Sequence, residues 1–153
     1  MPDTHSAPDL TGLYFELFNE IGIISQLSRA SFEARLPDGM VLPHFSVINH
    51  LIRVQDGRTP LQLARAFQVP KTSMTHTLAG LEKRGLIEMR ANPKDARSKQ
   101  VWLTEAGRSF RQDAIASLMP DVAEISDTFT PDELSGLIER LETLRKRLDA
   151  ARD

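Results

Sequence analysis

Apolar residues recur every three or four positions over several long stretches of the chain, the spacing that places them on one side of an α-helix. The first such helix is predicted within residues 10–36, which lack proline, at Leu10, Leu13, Leu17, Ile21, Ile24 and Leu27. A second begins at Pro43. The last helix repeats Leu134, Leu137, Leu141, Leu144 and Leu148. This sustained three-four alternation is typical of a coiled-coil-like seam.

Two helix starts carry a threonine followed three residues later by Gln or Glu, the capping-box pattern that satisfies free backbone N–H groups. They are Thr59 to Gln62 and Thr130 to Glu133. The first predicts a short helix to about Phe67, followed by a break at residues 68–70. A second helix is predicted from Lys71 to Arg84, ending at Gly85. A short helix, a tight turn and a second helix are the outline of a helix-turn-helix.

A β-hairpin is predicted next, with strands at residues 86–90 and 99–103 and a turn-rich, basic tip at residues 91–98. We call this hairpin the wing. After it, Thr104 is predicted to begin one helix that contains Phe110, Ala114, Leu118, Val122 and Ile125. The predicted fold class is therefore mainly α with a small β-hairpin wing: a winged helix-turn-helix plus a helical region formed by the amino- and carboxy-terminal helices.

Charge is distributed unevenly along the 153 residues, although the net charge is only −2. Residues 53–108 hold 11 Lys or Arg against 5 Asp or Glu, and the flanking segments hold 8 against 16. The basic segment coincides with the predicted helix-turn-helix and wing. A local basic surface on such an outline favours nucleic-acid binding over an ordinary solvated face.

Other classes of function find little support in the sequence. The chain has no cysteine, which excludes a thiolate metal site, a cysteine nucleophile and a disulfide framework. His44 and His50 do not share a helical face, so no metal site and no cofactor is predicted. No phosphate-binding glycine loop or nucleophile elbow occurs, and the chain is predicted not to be an enzyme. Without a secretion signal or a long apolar run it is predicted to be cytoplasmic, with no membrane partner.

The helix over residues 71–84 presents two different sides when its residues are placed at about 100° intervals. Met74, Leu78 and Leu81 share an apolar side, which we predict to be core. The other side is polar, and its members that we predict to contact DNA are Thr72, Thr75, His76 and Lys83. Lys71 and Ser73 lie near the helix start, where free N–H groups favour phosphate. Ala79 leaves room for a groove wall or a thymine methyl group.

The tip of the wing carries three further candidates for DNA contact, Lys94, Arg97 and Lys99. A narrow, strongly negative minor groove attracts arginine. Asp95 lies two residues before Arg97 and is predicted to orient its guanidinium through an ion pair. The plainer alternative is a solvent-exposed pair of little energetic value.

These segments resemble a known family. The run from Leu81 to Ile87, the wing residues Asn92 to Asp95 with Arg97, and the run from Val101 to Gly107 are similar to MarR-type transcriptional regulators. The resemblance extends over nearly the whole chain. Two positions depart from the family pattern: Gln68 stands in a turn where glycine is frequent, and Ala96 where a second wing arginine is common. Gln68 is expected to strain a left-handed turn, and Ala96 to weaken nonspecific affinity.

The resemblance implies a homodimer that binds double-stranded DNA at a pseudo-palindromic operator, often released by a small aromatic or phenolic effector. It also implies that residues 71–76 read bases and that Arg97 enters the minor groove. Residues 1–36 and 108–153 are predicted to form a helical dimerisation region, and residues 37–107 the DNA-binding domain. The ligand site stays unknown, although Phe45 and Phe110 are candidates for its wall. The alternative is a winged-helix module that binds proteins rather than specific DNA.

Overall fold

The computed structural model describes residues 9–152, and they are mostly helical with one antiparallel hairpin among them. In chain order the elements are α1 (Leu10–Glu33), α2 (Leu42–Arg53), α3 (Pro60–Phe67), α4 (Lys71–Lys83), β1 (Ile87–Ala91), β2 (Lys99–Leu103), α5 (Glu105–Ala116), α6 (Met119–Ile125) and α7 (Pro131–Ala151). The predicted fold class is confirmed. The first eight residues, where no secretion signal is predicted, lie outside the described residues.

The chain divides into two compact units between Ser117 and Leu118. The first holds α1 to α5 and the hairpin, and the second holds α6 and α7. Among the described helices, none combines the length and apolar content that a membrane crossing requires.

The predicted helix from Thr104 through Ile125 is wrong in one respect, because the structure breaks it into α5 and α6. Helix α5 ends at Ala116, and α6 begins at Met119 with Pro120 in its first turn. Proline has no N–H to donate, and its ring clashes with the carbonyl four residues earlier, which here is that of Ala116. The apolar spacing continues across this break, and for that reason the pattern alone did not reveal it.

The core of the first unit is shared by α2, α3, α4 and the hairpin. Its most deeply buried side chains come from all four: Ile48, Leu63, Leu81 and Val101 are each 0% exposed. Burying an aliphatic side chain of this size contributes about 1.5–3 kcal/mol. The predicted core side of α4 is confirmed, since Met74 and Leu78 are each 3% exposed.

The hairpin is held against the loop that precedes α3. Its strands pair with Ile87 opposite Leu103 and Met89 opposite Val101. The N–H of Val101 also donates to the carbonyl of Arg58 at 2.8 Å, and the N–H of Gly57 donates to the carbonyl of Val101 at 3.0 Å. These bonds extend the hairpin by one short pairing, which fastens β2 to the loop before α3.

Gly57 occupies a position that admits no side chain. Its φ is +76°, and a Cβ there would lie 2.5 Å from the Trp102 ring. The neighbouring Asp56 carboxylate accepts from the N–H of Leu103 at 3.0 Å and pairs with Arg108 at 3.6 Å. This turn therefore joins α2, the wing and α5 at one point.

Helix α4 ends at Lys83 and is followed by a turn at Gly85, the residue predicted to end the helix. The N–H of Leu86 donates to the carbonyl of Leu81 at 3.1 Å, and the N–H of Gly85 donates to that of Glu82 at 2.9 Å. This pair of bonds is a Schellman motif, which requires a left-handed residue, and Gly85 has a φ of +72°. The motif turns the chain directly from α4 into β1.

Gln68, in the turn between α3 and α4, adopts the left-handed conformation expected from the sequence. Among the described non-glycine residues Gln68 alone has a positive φ, at +53° with ψ of +44°. Its N–H donates to the carbonyl of Arg65, and the N–H of Val69 donates to that of Ala64. A left-handed conformation costs a residue with a Cβ about 1–2 kcal/mol.

Replacing Gln68 with glycine is expected to raise the free energy of unfolding by about 0.5–1 kcal/mol. The relief of backbone strain exceeds the extra chain entropy that glycine adds to the unfolded state. Chemical denaturation measures the change, and Gln68→Ala serves as the control because alanine keeps the strain. If the glycine variant is no more stable than the alanine variant, the strain is absent.

The surroundings of two histidines of α2 favour their neutral form. Burial lowers the pKa of His44 and of His50 from the ordinary 6.5, and the charges of Arg84 near His44 and Arg58 near His50 lower each further. The Nδ1 of His44 accepts from the N–H of Val41 at 3.0 Å, an arrangement that needs an unprotonated nitrogen. The Nε2 of His50 is buried without a hydrogen-bond partner, and its ring lies 5.3 Å from that of Phe67.

The free energy of unfolding is expected to fall as the pH drops below the ordinary histidine pKa of 6.5. The unfolded chain takes up protons there that the folded chain does not, until the pH passes below the lowered folded-state pKa values. Thermal denaturation of the wild type and of a His44→Gln, His50→Gln double variant isolates this contribution. Equal losses of stability on acidification in the two proteins would contradict it.

Candidate nucleic-acid interface

The outer side of α4 presents a continuous polar surface. Thr72, Thr75, His76 and Lys83, four of the predicted DNA contacts, are all exposed there, with Ala79 between them. The opposite side is fixed by burial of Met74, Leu78 and Leu81. Because the buried side locks the rotation of α4, these four residues cannot turn away from solvent.

Hydroxyl groups on α4 are oriented by the helix backbone. The Thr75 hydroxyl donates to the carbonyl of Lys71 at 2.9 Å, and the Thr77 hydroxyl donates to that of Ser73 at 3.1 Å. With its proton directed into the helix, the Thr75 oxygen faces outward as an acceptor. A hydrogen-bond acceptor at this position matches the exocyclic amino groups of adenine and cytosine.

Ser73, another predicted DNA contact on α4, lies apart from Thr72, Thr75, His76 and Lys83. It lies on the side of α4 that faces α2, where it lines a cleft with Ser46 and Val47. Its predicted phosphate contact through the helix start stays a prediction.

The tip of the wing is ordered by its own hydrogen bonds. The Asn92 side chain donates to the Ser98 hydroxyl at 2.9 Å and accepts from the N–H of Lys94 at 3.0 Å. The N–H of Ser98 donates to the carbonyl of Asp95 at 3.1 Å. The three basic side chains of the tip therefore project from a defined turn.

Asp95 and Arg97 are in contact at the tip of the wing. One carboxylate oxygen accepts from the N–H of Arg97 at 3.0 Å and from its Nε at 3.4 Å. The Arg97 side chain is 92% exposed, so the pair stabilises the fold by less than about 1 kcal/mol. Its predicted role in orienting the guanidinium stays a prediction.

Between the wing and the start of α4 lies a concave surface of about 570 Å³. It brings together Lys71, Arg97 and Lys99, three of the predicted contacts. Lys94 projects from the tip and Lys83 lies at the far end of α4, and neither lines this concavity. One contributor was not predicted from the sequence, the amino-terminal end of α3 at Thr59 to Leu61. The capping box predicts where that helix starts, but its position beside the wing depends on the folded structure.

Not every basic residue of the central segment is available to an anionic partner. Arg90 pairs with Glu88 and lies 5.1 Å from the centre of the Trp102 ring. Arg84 donates to the carbonyl of Asp38, and Arg108 pairs with Asp56. The charge count along the sequence therefore overstates the charge at the interface.

The residues that carry the family resemblance have structural roles around the base of the wing. The Thr104 hydroxyl donates to the carbonyl of Gly85 at 2.6 Å and accepts from the N–H of Gly107 at 3.1 Å. A Cβ at Gly107 would lie 2.2 Å from the carbonyl oxygen of Leu86. Thr104 and Gly107 thus close α5 onto the end of α4, which explains their types and spacing.

Residues 9–152 contain no group of three or more potential metal ligands. Phe45, a candidate for the wall of a ligand crevice, packs edge-on against Phe32 at 4.7 Å and lies 6.5 Å from Phe110. Arg111 donates to the Asn49 side chain beside them at 2.9 Å. These aromatic rings pack on one another between α1, α2 and α5.

Comparison with known proteins gives the same fold. A MarR family model matches residues 38–98. The structure of the MarR family transcription regulator SP03579 is 26% identical, over 94% of this chain and 95% of that one, with a TM-score of 0.70. The transcriptional regulator BldR from Sulfolobus solfataricus is 26% identical, over 90% of this chain and 98% of that one, with a TM-score of 0.74.

A third structure, a mutant MarR from E. coli complexed with operator DNA, shares the fold. It is 24% identical, over 89% of this chain and 98% of that one, with a TM-score of 0.67. The family model covers the helix-turn-helix and most of the wing, and the fold similarity extends to the terminal helices. The described residues share the fold of MarR family transcriptional regulators, and residues 38–98 match the MarR family model.

Proposed function

We propose that the protein is a homodimeric repressor that binds a pseudo-palindromic DNA operator and releases it when a small molecule binds. The observation that carries this proposal is the exposed polar side of α4 beside the concavity formed with the wing. The polar side of α4 suits the major groove, and the basic side chains of the wing suit the minor groove. The same core fixes α4 and the wing in place.

Helix α4 enters the major groove in this proposal. Thr75 accepts from an adenine or cytosine amino group, His76 donates to guanine acceptors, and Ala79 allows close approach or contacts a thymine methyl group. Thr72 and Lys83 lie at either end of this surface and contact bases or phosphates. Fixed rotation of α4 supports this assignment, because a base-reading side chain must be positioned before binding.

The wing follows the backbone to the neighbouring minor groove. Arg97, restrained by Asp95, inserts there, and Lys94 and Lys99 neutralise phosphates on either side. Lys71 and Ser73 bind phosphate near the start of α4. The start of α3 lines the same concavity. A single arginine at the tip, with Ala96 beside it, limits the affinity for nonspecific DNA.

Pairing of two chains is supported by apolar surface that the described residues leave uncovered. On α1 the side chains of Leu13, Tyr14 and Ile24 are 50%, 50% and 60% exposed, and Phe32 alone among its residues is buried. On α7 the seam residues Leu134, Leu137 and Leu148 are 46%, 41% and 53% exposed. A homodimer that buries these surfaces holds two copies of α4 about one turn of DNA, roughly 34 Å, apart.

In this proposal the effector acts through the spacing of the two α4 helices of the dimer. The operator is bound when that spacing matches the DNA. A ligand that favours a different spacing lowers operator affinity by its difference in affinity for the two arrangements.

Selection from a pool of randomised DNA duplexes tests the function directly. Enrichment of a dyad-symmetric site whose half-sites lie about 10 base pairs apart is the expected result. If no sequence is enriched and binding stays weak and steeply salt-dependent, the basic surface is only electrostatic. The alternative of a winged-helix module for protein partners then applies.

Replacing Arg97 with alanine is expected to weaken binding to the selected site and to flatten its salt dependence by about one unit of slope per half-site. Replacing His76 with alanine is expected to change base preference and to leave that slope nearly unaltered. Fluorescence anisotropy at several salt concentrations measures both. Arg140→Ala on α7 is the matched control, since it removes the same charge far along the chain from the wing.

An Arg97→Ala protein with the affinity and salt slope of the wild type would remove the wing from the interface.

Replacing Leu137 with glutamate is expected to raise the dimer dissociation constant about 100-fold or more. The seam is self-complementary, so each substitution introduces two charges into an apolar contact. Sedimentation equilibrium measures the change. Ser135→Glu adds the same charge to α7 off the seam and should leave the dimer intact. A wild-type monomer at micromolar concentration, or an unaffected Leu137→Glu dimer, would contradict the dimer.

A further inference from the structure

Gly80 occupies the interior of α4, where glycine is unfavourable. Apart from proline, glycine is the poorest helix former. The backbone of Gly80 is helical, so no left-handed conformation requires a glycine here. A Cβ at this position would lie 3.0 Å from the Nε2 of His44 on α2. The glycine therefore provides space for the imidazole of His44.

The imidazole of His44 has one defined N–H donor. Its Nδ1 accepts from the N–H of Val41 at 3.0 Å, so in the neutral ring the single proton is on Nε2. Burial lowers the pKa of His44, and the charges of Arg84 and His76 lower it further, which favours this neutral ring. His44 thus places an N–H donor where α2 meets Gly80.

This donor lies at the edge of the polar outer side of α4. His76, Gly80 and Arg84 follow one another at four-residue intervals, so they form one row along the helix. His76 is exposed, and Gly80 and the His44 ring beside it are half-buried. The Nε2–H of His44 is therefore close to a residue that is proposed above to read bases.

The surroundings of this donor suit an anionic acceptor. Within the part of the chain that the structure describes, the hydrogen bond of His44 is the one at Nδ1, which leaves its Nε2–H for a partner from outside. Arg84 lies close enough for its charge to act on His44, and its guanidinium donates to the carbonyl of Asp38. A hydrogen bond to an ionised acceptor is shorter and stronger than a neutral one.

We propose that the Nε2–H of His44 donates to a phosphate of the DNA backbone at the rim of the groove that α4 enters. The proposal rests on the proposed function for the position of α4 on DNA. Phosphate contacts set the register and orientation of a protein on the duplex, whereas base contacts select the sequence. His44 therefore fixes how deeply α4 lies in the groove, and Gly80 is the residue that admits His44.

Replacing Gly80 with alanine tests this role against a purely structural one. Alanine is the better helix former, but its Cβ displaces the imidazole from its position. Affinity for the selected duplex is expected to fall about 3-fold or more for each half-site. Gly136→Ala on α7 is the matched control, since no atom lies within 4 Å of a Cβ there, and it should leave DNA affinity unchanged.

Two substitutions of His44 separate its donor from its contact with Val41. His44→Ala removes both, and it should weaken binding about 10-fold for each half-site. The salt dependence should keep its slope, because a neutral donor displaces no counterion. His44→Gln keeps an oxygen that accepts from the N–H of Val41 and an amide that donates, so it should fold and retain most of the affinity.

A double-mutant cycle shows whether Gly80→Ala acts through His44. In a His44→Ala background the added Cβ meets no imidazole, so Gly80→Ala should cause no further loss of affinity. If the loss is as large as in the wild type, the Cβ acts by moving α4, and the proposed contact is wrong.

Nitrogen-15 NMR of the full chain labelled at histidine detects the contact without reference to sequence preference. On addition of a duplex of arbitrary sequence at low salt, the Nε2 resonance of His44, assigned with His44→Gln, should shift, and that of the buried His50 should not. Equal DNA affinities of the wild type, Gly80→Ala and His44→Ala would overturn the contact and leave the proposed function intact. If no sequence is enriched from a random pool while His44 still shifts, the proposed function fails and the phosphate contact stands.

Discussion

Burial of one side of α4 is the constraint on which the rest of the structure depends. Met74, Leu78 and Leu81 enter a core to which α2, α3 and the hairpin also contribute. Because a helix has a fixed angular step, fixing these three residues fixes every other position on α4. The polar outer side, the cleft on the α2 side and the turn into the wing all follow from that one packing arrangement.

The same core relates the wing to α4, which a basic sequence segment alone could not do. Asp56, Gly57 and Trp102 meet at the base of the hairpin, and Thr104 and Gly107 close α5 onto it from the other side. These contacts combine close packing of Gly57 on the Trp102 ring with hydrogen bonds to the Asp56 carboxylate and the Thr104 hydroxyl. Lys71, Arg97 and Lys99 share one concavity. At the base of the hairpin, Arg90 lies over Trp102 and Arg108 pairs with Asp56.

Most of the fold could be predicted from the sequence because its local signals are strong. Capping boxes at Thr59 and Thr130, and Gly85 after α4, fix helix ends through backbone hydrogen bonding within a few residues. The break at Ser117 and Leu118 was missed, since the apolar spacing continues through it and the effect of Pro120 falls one turn earlier. Within the site, the outer side of α4 and the Asp95–Arg97 pair follow from periodicity and close spacing. The start of α3 beside the wing and the position of His44 against Gly80 depend on contacts between distant segments, which no local pattern encodes.

Cleavage of DNA by a reagent fixed to the wing reports directly where the wing lies on the operator, and the chain suits this measurement because it has no cysteine. An iron chelate attached to Ala96→Cys generates hydroxyl radicals at the tip of the wing. If two copies of the wing enter the minor grooves that flank the half-sites, two short cleavage clusters are expected on the selected duplex, placed symmetrically about the dyad. Cleavage spread evenly along the duplex, or confined to one side of the dyad, would contradict it.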